Sequence, residues 1–268
     1  MKVKVKDFEM YYEDTGKGTP LVLIHGVGGD STEWSEVTPK MSKEVRCIAL
    51  DLRGHGKSEK PDMPYTQEMF ADDVAALLDI LKIGKAFVCG ISMGGFVAQK
   101  MALTHPDKVD GLILIDTTPR MPAKSIQVAG AWGKIFAEKG LQAYIDAEIK
   151  DIFHPMFARR HKDAIKRFAD SMKTREAKTS ARVQQGYMKS PPLMEKDIKR
   201  IKVPTLIIHG REDGVVPVEE AELIHREIQN SQIAIIPFAG HGALMERPDY
   251  FIDLILYFIE ESKKKSTP

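Results

Sequence analysis

Apolar positions along this chain follow two periods, one typical of strands and one typical of helices. Residues 3–12 alternate polar and apolar side chains, which indicates a half-exposed antiparallel start to a sheet. Continuous apolar runs predict buried strands at residues 21–24, 47–50, 87–91, 112–115, 205–208 and 233–236. Helical spacing predicts helices at residues 67–81 and 93–104. Because strands and helices alternate, we predict an α/β fold with a mostly parallel sheet and helices on both faces.

The alternation stops between about residues 118 and 192, where only helical patterns remain. Trp132 and Phe136 fall on an apolar stripe in this segment. Pro191, Pro192 and Pro204 mark the return to the sheet, since proline disfavours helix in the residue before it. We therefore predict a core domain made of residues 1–117 and 193–268, with residues 118–192 inserted as a helical cap.

The composition indicates an ordinary globular protein. Hydrophobic residues make up 43% of the 268 residues, charged residues make up 29%, and the net charge is +1, which leaves no basic field for nucleic acid or anionic lipid. There is no secretory signal pattern and no run of ~20 apolar residues that could span a membrane. We expect a cytoplasmic monomer or homodimer without nucleic-acid or membrane partners. Its two cysteines, Cys47 and Cys89, lie in predicted strands and are expected to be buried free thiols.

The strongest chemical signal is the segment Gly90-Ile91-Ser92-Met93-Gly94. It fits the pattern G-x-S-x-G and lies between a predicted strand and a predicted helix, which is the context that the motif needs. A glycine-rich strand-to-helix turn alone could also bind phosphate or simply change the direction of the chain. With a base and an acid further along the chain, the motif predicts that Ser92 is a nucleophile.

A serine hydroxyl needs a base, and His241 lies between Gly240 and Gly242 after the last predicted strand. An acid must then orient the imidazole, and both Glu212 and Asp213 follow the strand at 205–208. We favour Asp213, because the following loop lets a helix begin at Pro217 with this acid at its foot. A helix-capping role for Asp213 is the alternative. The order serine, aspartate, histidine is the one expected for this architecture.

Two backbone amides are predicted to bind the oxyanion that forms during acyl transfer, those of Met93 and of Val27 in the glycine-rich turn. Residues predicted to contact substrate are Gly26, Trp132, Phe136 and Val215, with Met121, Phe153 and Phe157 as further candidates. Aromatic stripes at helical spacing are also typical of simple core packing. His25 and His55 lack the clustering of zinc ligands and are interpreted as hydrogen-bonding residues that support the loops. No metal or organic cofactor is implied.

These motifs resemble those of α/β-hydrolase-fold proteins over nearly the whole chain. The matching segments are His25-Gly26, residues 51–58 (DLRGHGKS), the turn at Ser92, and Gly240-His241 with Glu246-Arg247-Pro248 behind it. The resemblance implies an eight-stranded, mostly parallel sheet flanked by helices, with an inserted cap. Residues 89–95 (CGISMGG) and 105–109 (HPDKV) resemble the branch of carboxylesterases, 3-oxoadipate enol-lactonases and non-haem haloperoxidases.

The function expected from this resemblance is that of a serine hydrolase, which cleaves a small-molecule carboxylic ester or lactone through an acyl-enzyme. Hydrolysis of C–C bonds, perhydrolysis and acyl transfer use the same scaffold, so they stay open. A receptor-like relative that binds a small molecule without turnover is the alternative from a different class. A serine at position 92, where an aspartate would be needed, argues against haloalkane dehalogenase and epoxide hydrolase chemistry.

Overall fold

The computed structural model describes residues 1–173, 177–189 and 193–266. Its centre is an eight-stranded sheet. The strands are β1 (Lys2–Val5), β2 (Phe8–Thr15), β3 (Pro20–Ile24), β4 (Arg46–Leu50), β5 (Ala86–Ile91), β6 (Val109–Ile115), β7 (Thr205–Gly210) and β8 (Ser231–Ile236). They lie in the order β1-β2-β4-β3-β5-β6-β7-β8. The β1/β2 and β2/β4 pairs are antiparallel and all other pairs are parallel, which confirms the predicted fold class.

Helices cover both faces of this sheet. They are α1 (Thr38–Met41), α2 (Gln67–Ile80), α3 (Met93–Thr104), α4 (Ala123–Ile152), α5 (Pro155–Arg160), α6 (Lys162–Lys173), α7 (Ala177–Lys189), α8 (Glu195–Ile198), α9 (Val218–Glu227), α10 (Ala243–Glu246) and α11 (Pro248–Ser266). Helices α2, α3 and α9 pack on one face, and α1 and α11 pack on the other. The layers are therefore helix, sheet, helix.

Each parallel strand contributes side chains to two separate cores. In β3, Val22 and Ile24 point into the core under α2 and α3, whereas Leu21 and Leu23 point into the core under α11. Successive side chains of a strand alternate between faces, and both faces here are covered. This is why the parallel strands are continuous apolar runs in the sequence.

The predicted strands and helices agree with the structure to within a few residues. The largest difference is at β6, which begins at Val109 rather than at residue 112. Its first residues include the exposed Asp110 and then Gly111, and these interrupt the apolar run. Cys47 and Cys89 are buried free thiols, as predicted, and burial raises the pKa of Cys47 to about 12.

Between β6 and β7 the described residues form helices only, from α4 to α8. Helix α4 is broken at Gly140, whose φ of +79° lies outside the helical region. Pro191 and Pro192, which were predicted to mark the return to the sheet, lie outside the described residues. The boundaries of a separate cap stay a prediction. Across the described parts of the chain, none of the helices combines the length and the apolar character that crossing a bilayer requires.

A buried ion pair ties the loop after β4 to α2. The Arg53 guanidinium donates to both carboxylate oxygens of Asp73, at 2.8 and 2.9 Å, and both side chains are almost fully buried. We expect Asp73→Ala to lower the free energy of unfolding by about 3–5 kcal/mol, because it leaves a buried guanidinium without its main partner. Urea denaturation measures this loss.

The matched control is Asp7→Ala. Asp7 also lies 2.8 Å from the Arg53 guanidinium, but its side chain is 61% exposed. Its removal should cost about 0–1 kcal/mol, as for other surface ion pairs. Equal losses in the two variants would show that burial is not what makes the Asp73 contact strong.

Candidate active site

Ser92 lies at the sharp turn from β5 into α3. Its backbone has φ +51° and ψ −115°, a conformation that costs free energy for any residue with a Cβ. The Ser92 amide donates to the carbonyl of Ile115 at 2.9 Å, and the Ser92 carbonyl accepts from the Thr117 hydroxyl at 2.7 Å. These bonds to the end of β6 and the residues after it hold the strained turn in place.

The glycines around Ser92 are required by close packing. A Cβ on Gly94 would overlap the carbonyl oxygen of Ile24 at the end of β3. We expect Gly94→Ala to cost about 1–3 kcal/mol of stability, because the turn must move to relieve this overlap. Displacement of Ser92 should also slow its labelling by a fluorophosphonate by at least about tenfold. Thermal unfolding and labelling rates measure the two effects.

Gly130→Ala in α4 is the control for this prediction. No atom lies within 4 Å of a Cβ placed there, so alanine should leave labelling unchanged and stabilise the helix slightly. A Gly94→Ala protein with wild-type stability and labelling would contradict the packing explanation.

The structure brings Ser92, His241 and Asp213 together in one hydrogen-bonded series. His241 Nε2 lies 3.1 Å from Ser92 Oγ, and His241 Nδ1 lies 2.8 Å from Asp213 Oδ2. A carboxylate can only accept, so Nδ1 carries the hydrogen and Nε2 is free to accept the serine proton. The three side chains come from loops that follow β5, β7 and β8.

The Asp213 carboxylate is held rigidly. Its Oδ1 accepts from the amides of Val215 and Val216, at 2.7 and 2.8 Å, and Oδ2 faces His241. Burial alone would raise the pKa of Asp213, but the charges and hydrogen bonds of His241 and His209 hold this pKa well below its ordinary value. Asp213 is therefore ionised across the whole neutral pH range.

Two alternatives considered from the sequence can be compared with this geometry. The helix-capping role for Asp213 is wrong: α9 begins after Pro217 and no side chain caps it. Glu212 points elsewhere, and its carboxylate accepts from the amide of Ala239 at 3.1 Å.

His241 is nearly enclosed, and its surroundings favour the protonated form. Burial alone would lower the pKa of the imidazole. The charge and hydrogen bond of Asp213, with smaller contributions from Glu33 and Glu148, raise this pKa above the ordinary value of 6.5. The neutral form, which can accept a proton from Ser92, is therefore restored only at a correspondingly higher pH.

Two buried residues behind Asp213 were not singled out in the sequence. His209 Nε2 lies 3.3 Å from Asp213 Oδ2 and 3.1 Å from the carbonyl of Val216, so it donates to acceptors on both sides. Asp116 accepts from the amide of Gly210 at 2.8 Å, and burial raises the pKa of its carboxyl well above the ordinary value. Of the two carboxylates, Asp213 is the one that contacts His241.

These three side chains also have donor atoms suited to a metal. One ligand atom each from Asp116, His209 and Asp213 lie within 4.8 Å of one another, all buried. Both oxygens of Asp213 already accept protein hydrogen bonds, however. We therefore interpret His209 and Asp116 as residues that support Asp213, which is the charged acceptor beside His241. The pairing of β6 with β7 brings Asp116 beside His209 and Asp213, which no local sequence motif signals.

The predicted oxyanion amides are those of Met93, which follows Ser92 directly, and of Val27, which follows Gly26; a Cβ built on Gly26 would lie 3.6 Å from Ser92 Cβ. In the described part of the chain, neither amide donates a hydrogen bond to a protein acceptor. The turn that carries Val27 is closed by a bond from the Gly29 amide to the Gly26 carbonyl at 3.1 Å. Both amides are therefore available to a ligand.

His25 and Glu33 hold this turn from two sides. His25 Nε2 accepts from the Leu52 amide at 3.0 Å, so its Nδ1 carries the hydrogen and donates to the Gly26 carbonyl at 2.7 Å. The Gly26 amide donates to Glu33 Oε2 at 2.8 Å. The supporting role predicted for His25 agrees with these contacts. Glu33 was missed, because nothing local distinguishes it from a solvated acidic residue.

The aromatic residues predicted to bind substrate have protein partners of their own. The Trp132 indole donates to the Asp151 carboxylate at 2.8 Å, and Phe136, which is 45% exposed, packs edge-on against Tyr144. Val215 uses its amide to hold the acid, as described above. Their roles in substrate binding, like that of Gly26, stay predictions.

A cavity of about 570 Å³ adjoins the oxyanion turn. Its lining includes Gly29, Glu33, His55, Phe168 and Leu244. The cavity thus extends from the turn beside Ser92 to helix α6 and to the residues that follow His241.

A parallel sheet with a serine at a strand-to-helix turn, and an acid and a histidine after later strands, defines an α/β-hydrolase. Comparison with known proteins agrees with this class. The sequence profile of the family described as "Serine aminopeptidase, S33" matches residues 18–248, so the chain belongs to this family of α/β-hydrolases.

The names of individual relatives describe different activities. The chain is 32% identical to the 2-hydroxy-6-oxo-6-(2'-aminophenyl)hexa-2,4-dienoic acid hydrolase of Metapseudomonas resinovorans, over 94% of this chain and 87% of that protein. Among solved structures, a malate-bound thermophilic esterase from Thermogutta terrifontis superposes with a TM-score of 0.87, at 30% identity and 98% coverage of both chains. The enol-lactonase of Burkholderia xenovorans LB400 gives a TM-score of 0.87 at 27% identity, covering 97% of this chain and 100% of its own.

Proposed function

We propose that this hydrolase cleaves a carboxylic ester or lactone through an acyl-enzyme on Ser92. The observation that carries the proposal is the continuous hydrogen-bonded series from Asp213 through His241 to Ser92, beside two backbone amides for which the described residues supply no acceptor. An activated serine next to an oxyanion site is the arrangement that acyl transfer requires.

In the first half of the reaction, Ser92 Oγ attacks the carbonyl carbon while His241 Nε2 takes the hydroxyl proton. The amides of Val27 and Met93 donate to the oxyanion, a contribution of about 3–4 kcal/mol per donor in comparable sites. Asp213 stabilises the imidazolium without taking its proton. His241 then protonates the leaving alkoxide, and the acyl group stays on Ser92.

In the second half, His241 removes a proton from water, which attacks the acyl carbon. The bond between this carbon and Ser92 Oγ then breaks, His241 returns the proton to Oγ, and the acid is released. In a lactone the leaving alkoxide remains attached to the acyl group, so one hydroxy acid is the product. No metal or organic cofactor takes part in this scheme.

We further propose that residues 118–192 act as the cap over this site. The support is that the end of α4 packs against the loop of His241, where the Gly242 amide donates to the Ile152 carbonyl at 2.9 Å. Trp132 and Phe136, which lie in α4 before its break at Gly140, are proposed to face substrate from the cap side.

C–C bond hydrolysis is the second candidate. It is favoured by the relative at 32% identity, whose name describes the hydrolysis of an oxo-dienoic acid. The same triad would serve both reactions, so the choice between them rests on substrate rather than on Ser92.

A substrate panel tests the proposal. It comprises p-nitrophenyl esters of increasing acyl length, enol-lactones, homoserine lactones and an oxo-dienoate, each assayed with wild type and Ser92→Ala. Ser92-dependent turnover that peaks at one acyl length supports an esterase, and turnover confined to lactones supports a lactonase. Turnover of the oxo-dienoate alone supports the second candidate. No turnover of any substrate, together with no fluorophosphonate labelling of Ser92, would contradict both and leave a binding protein.

A further inference from the structure

The Glu33 carboxylate faces the space in front of Ser92. A Cβ placed on Gly26 would lie 3.6 Å from Ser92 Cβ and 3.8 Å from both carboxylate oxygens of Glu33. The position is open, because all of these distances are ordinary van der Waals separations. A carboxylate and the candidate nucleophile therefore border the same small volume beside the oxyanion turn.

The position of Glu33 is fixed by the backbone that carries it. It lies in a 3₁₀ turn, Ser31–Trp34, whose last side chain is fully buried. Asp30 caps the turn by accepting from the Thr32 amide at 2.9 Å, and the Ser31 amide donates to the Asp51 carboxylate at 2.7 Å. The bond from the Gly26 amide then fixes the carboxylate itself.

Within the described ranges no lysine, arginine or histidine nitrogen lies within 4.0 Å of the Glu33 oxygens, and the cationic side chains that line the same cavity are those of Lys57, Lys60 and Arg167. Glu36, on the same segment, does have such a neighbour, since its carboxylate lies 3.4 Å from the Arg167 guanidinium. Glu33 also contributes to the raised pKa of His241, so its field reaches the triad.

We propose that Glu33 determines the charge of the substrates that this site accepts. It disfavours a substrate that carries a carboxylate near the scissile carbonyl and leaves uncharged or cationic esters and lactones as the substrate class. Glu33 is exposed, so water and salt screen its charge. At low ionic strength like charges in this space repel, and the repulsion grows as the reacting carbonyl becomes an oxyanion. The proposal rests on the proposed function, because it assumes that Ser92 attacks a carbonyl in this space.

Three stable methyl esters test the proposal. Dimethyl glutarate is uncharged, monomethyl glutarate carries a carboxylate, and methyl 4-(trimethylammonio)butyrate carries a cation at a similar distance from the ester. Methanol release gives kcat/KM for each ester at low ionic strength. We expect wild type to prefer the uncharged ester over the anionic one by at least about tenfold, and added salt to shrink this preference.

Glu33→Gln separates charge from hydrogen bonding, since the glutamine carbonyl can still accept from the Gly26 amide. This variant should lower the preference for the uncharged over the anionic ester by about tenfold and change the uncharged ester itself by less than about threefold. Glu33→Ala also removes the hydrogen bond, so it should slow all three esters. Glu36→Gln removes a nearby charge and should leave the preference unchanged. An unchanged preference in Glu33→Gln, with turnover of the uncharged ester retained, overturns the proposal.

A second measurement covers the case in which the protein turns over none of these esters. Two fluorophosphonate probes, one uncharged and one with a carboxylate on its chain, report the reactivity of Ser92 directly. Glu33→Gln should accelerate labelling by the anionic probe alone, and equal effects on both probes overturn the role of Glu33. If neither probe labels Ser92 in wild type, the proposed function itself is contradicted, and the role of Glu33 falls with it.

Discussion

Replacing Ser92 with alanine is expected to lower kcat/KM for the ester or lactone substrate by about 10⁵- to 10⁶-fold. The hydroxyl is the only group of Ser92 that faces His241 Nε2, and no acyl-enzyme can form without it. Because the strained backbone is held by bonds to Ile115 and Thr117, the fold should persist. Steady-state kinetics measures the loss, thermal unfolding checks the fold, and mass spectrometry after rapid quenching detects the acyl group on wild-type Ser92.

Ser35→Ala is a suitable comparison, since this serine is exposed and follows the 3₁₀ turn without contacting the triad. It should retain activity within about twofold, as surface substitutions generally do. Retention of more than about a hundredth of wild-type activity in Ser92→Ala would mean that another group initiates the reaction.

The fold and the three proposed catalytic residues could be predicted because the signals for them are local. A strand-to-helix turn with Gly90, Ser92 and Gly94 has few other uses, and the parallel strands are apolar on both faces. The order of Asp213 and His241 after later strands followed from the same architecture. Each of these features can be recognised within a window of about ten residues.

The sequence contains weaker evidence for the choice between Glu212 and Asp213. Both side chains follow β7, and a strand-end loop does not reveal which side chain turns back toward the histidine. The structure directs Asp213 to His241, and Glu212 to the Ala239 amide. Two amides, those of Val215 and Val216, fix the first orientation. A loop conformation of this kind depends on tertiary packing, which the sequence does not report.

For a different reason, the sequence could not predict that three further residues lie at the site: Glu33, His209 and Asp116. Their neighbours at the site are distant in the chain: Asp116 meets the amide of Gly210 only through the pairing of β6 with β7. Glu33 gains its place from a 3₁₀ turn that folds back on Gly26. For Trp132 and Phe136 the limit is ambiguity, because an apolar helix stripe can pack on a core, on a cap or on a substrate.

Asp213→Asn is expected to lower kcat by about 10⁴-fold while the protein stays folded. The two amides at Oδ1 require an acceptor, so the asparagine oxygen must take that position and its NH₂ group must face His241. The imidazole then accepts at Nδ1 and carries its hydrogen on Nε2. In that tautomer it cannot take the Ser92 proton. Kinetics and thermal unfolding measure the two effects, and Glu212→Gln, which changes the neighbouring acid, should lose less than about fivefold.

The pH dependence of Asp213→Asn tests whether the charge of Asp213 raises the pKa of His241. In wild type the pKa of His241 is raised above 6.5, so activity should fall as the pH is lowered through a value above 6.5, where the base becomes protonated. Removing the Asp213 charge removes the main group that raises this pKa. The residual activity of Asp213→Asn should therefore persist to a lower pH than that of wild type. Glu33→Gln should shift the acid limb in the same direction by less, because its contribution to the pKa of His241 is smaller. An acid limb at the same pH in all three proteins would mean that a group other than His241 controls it.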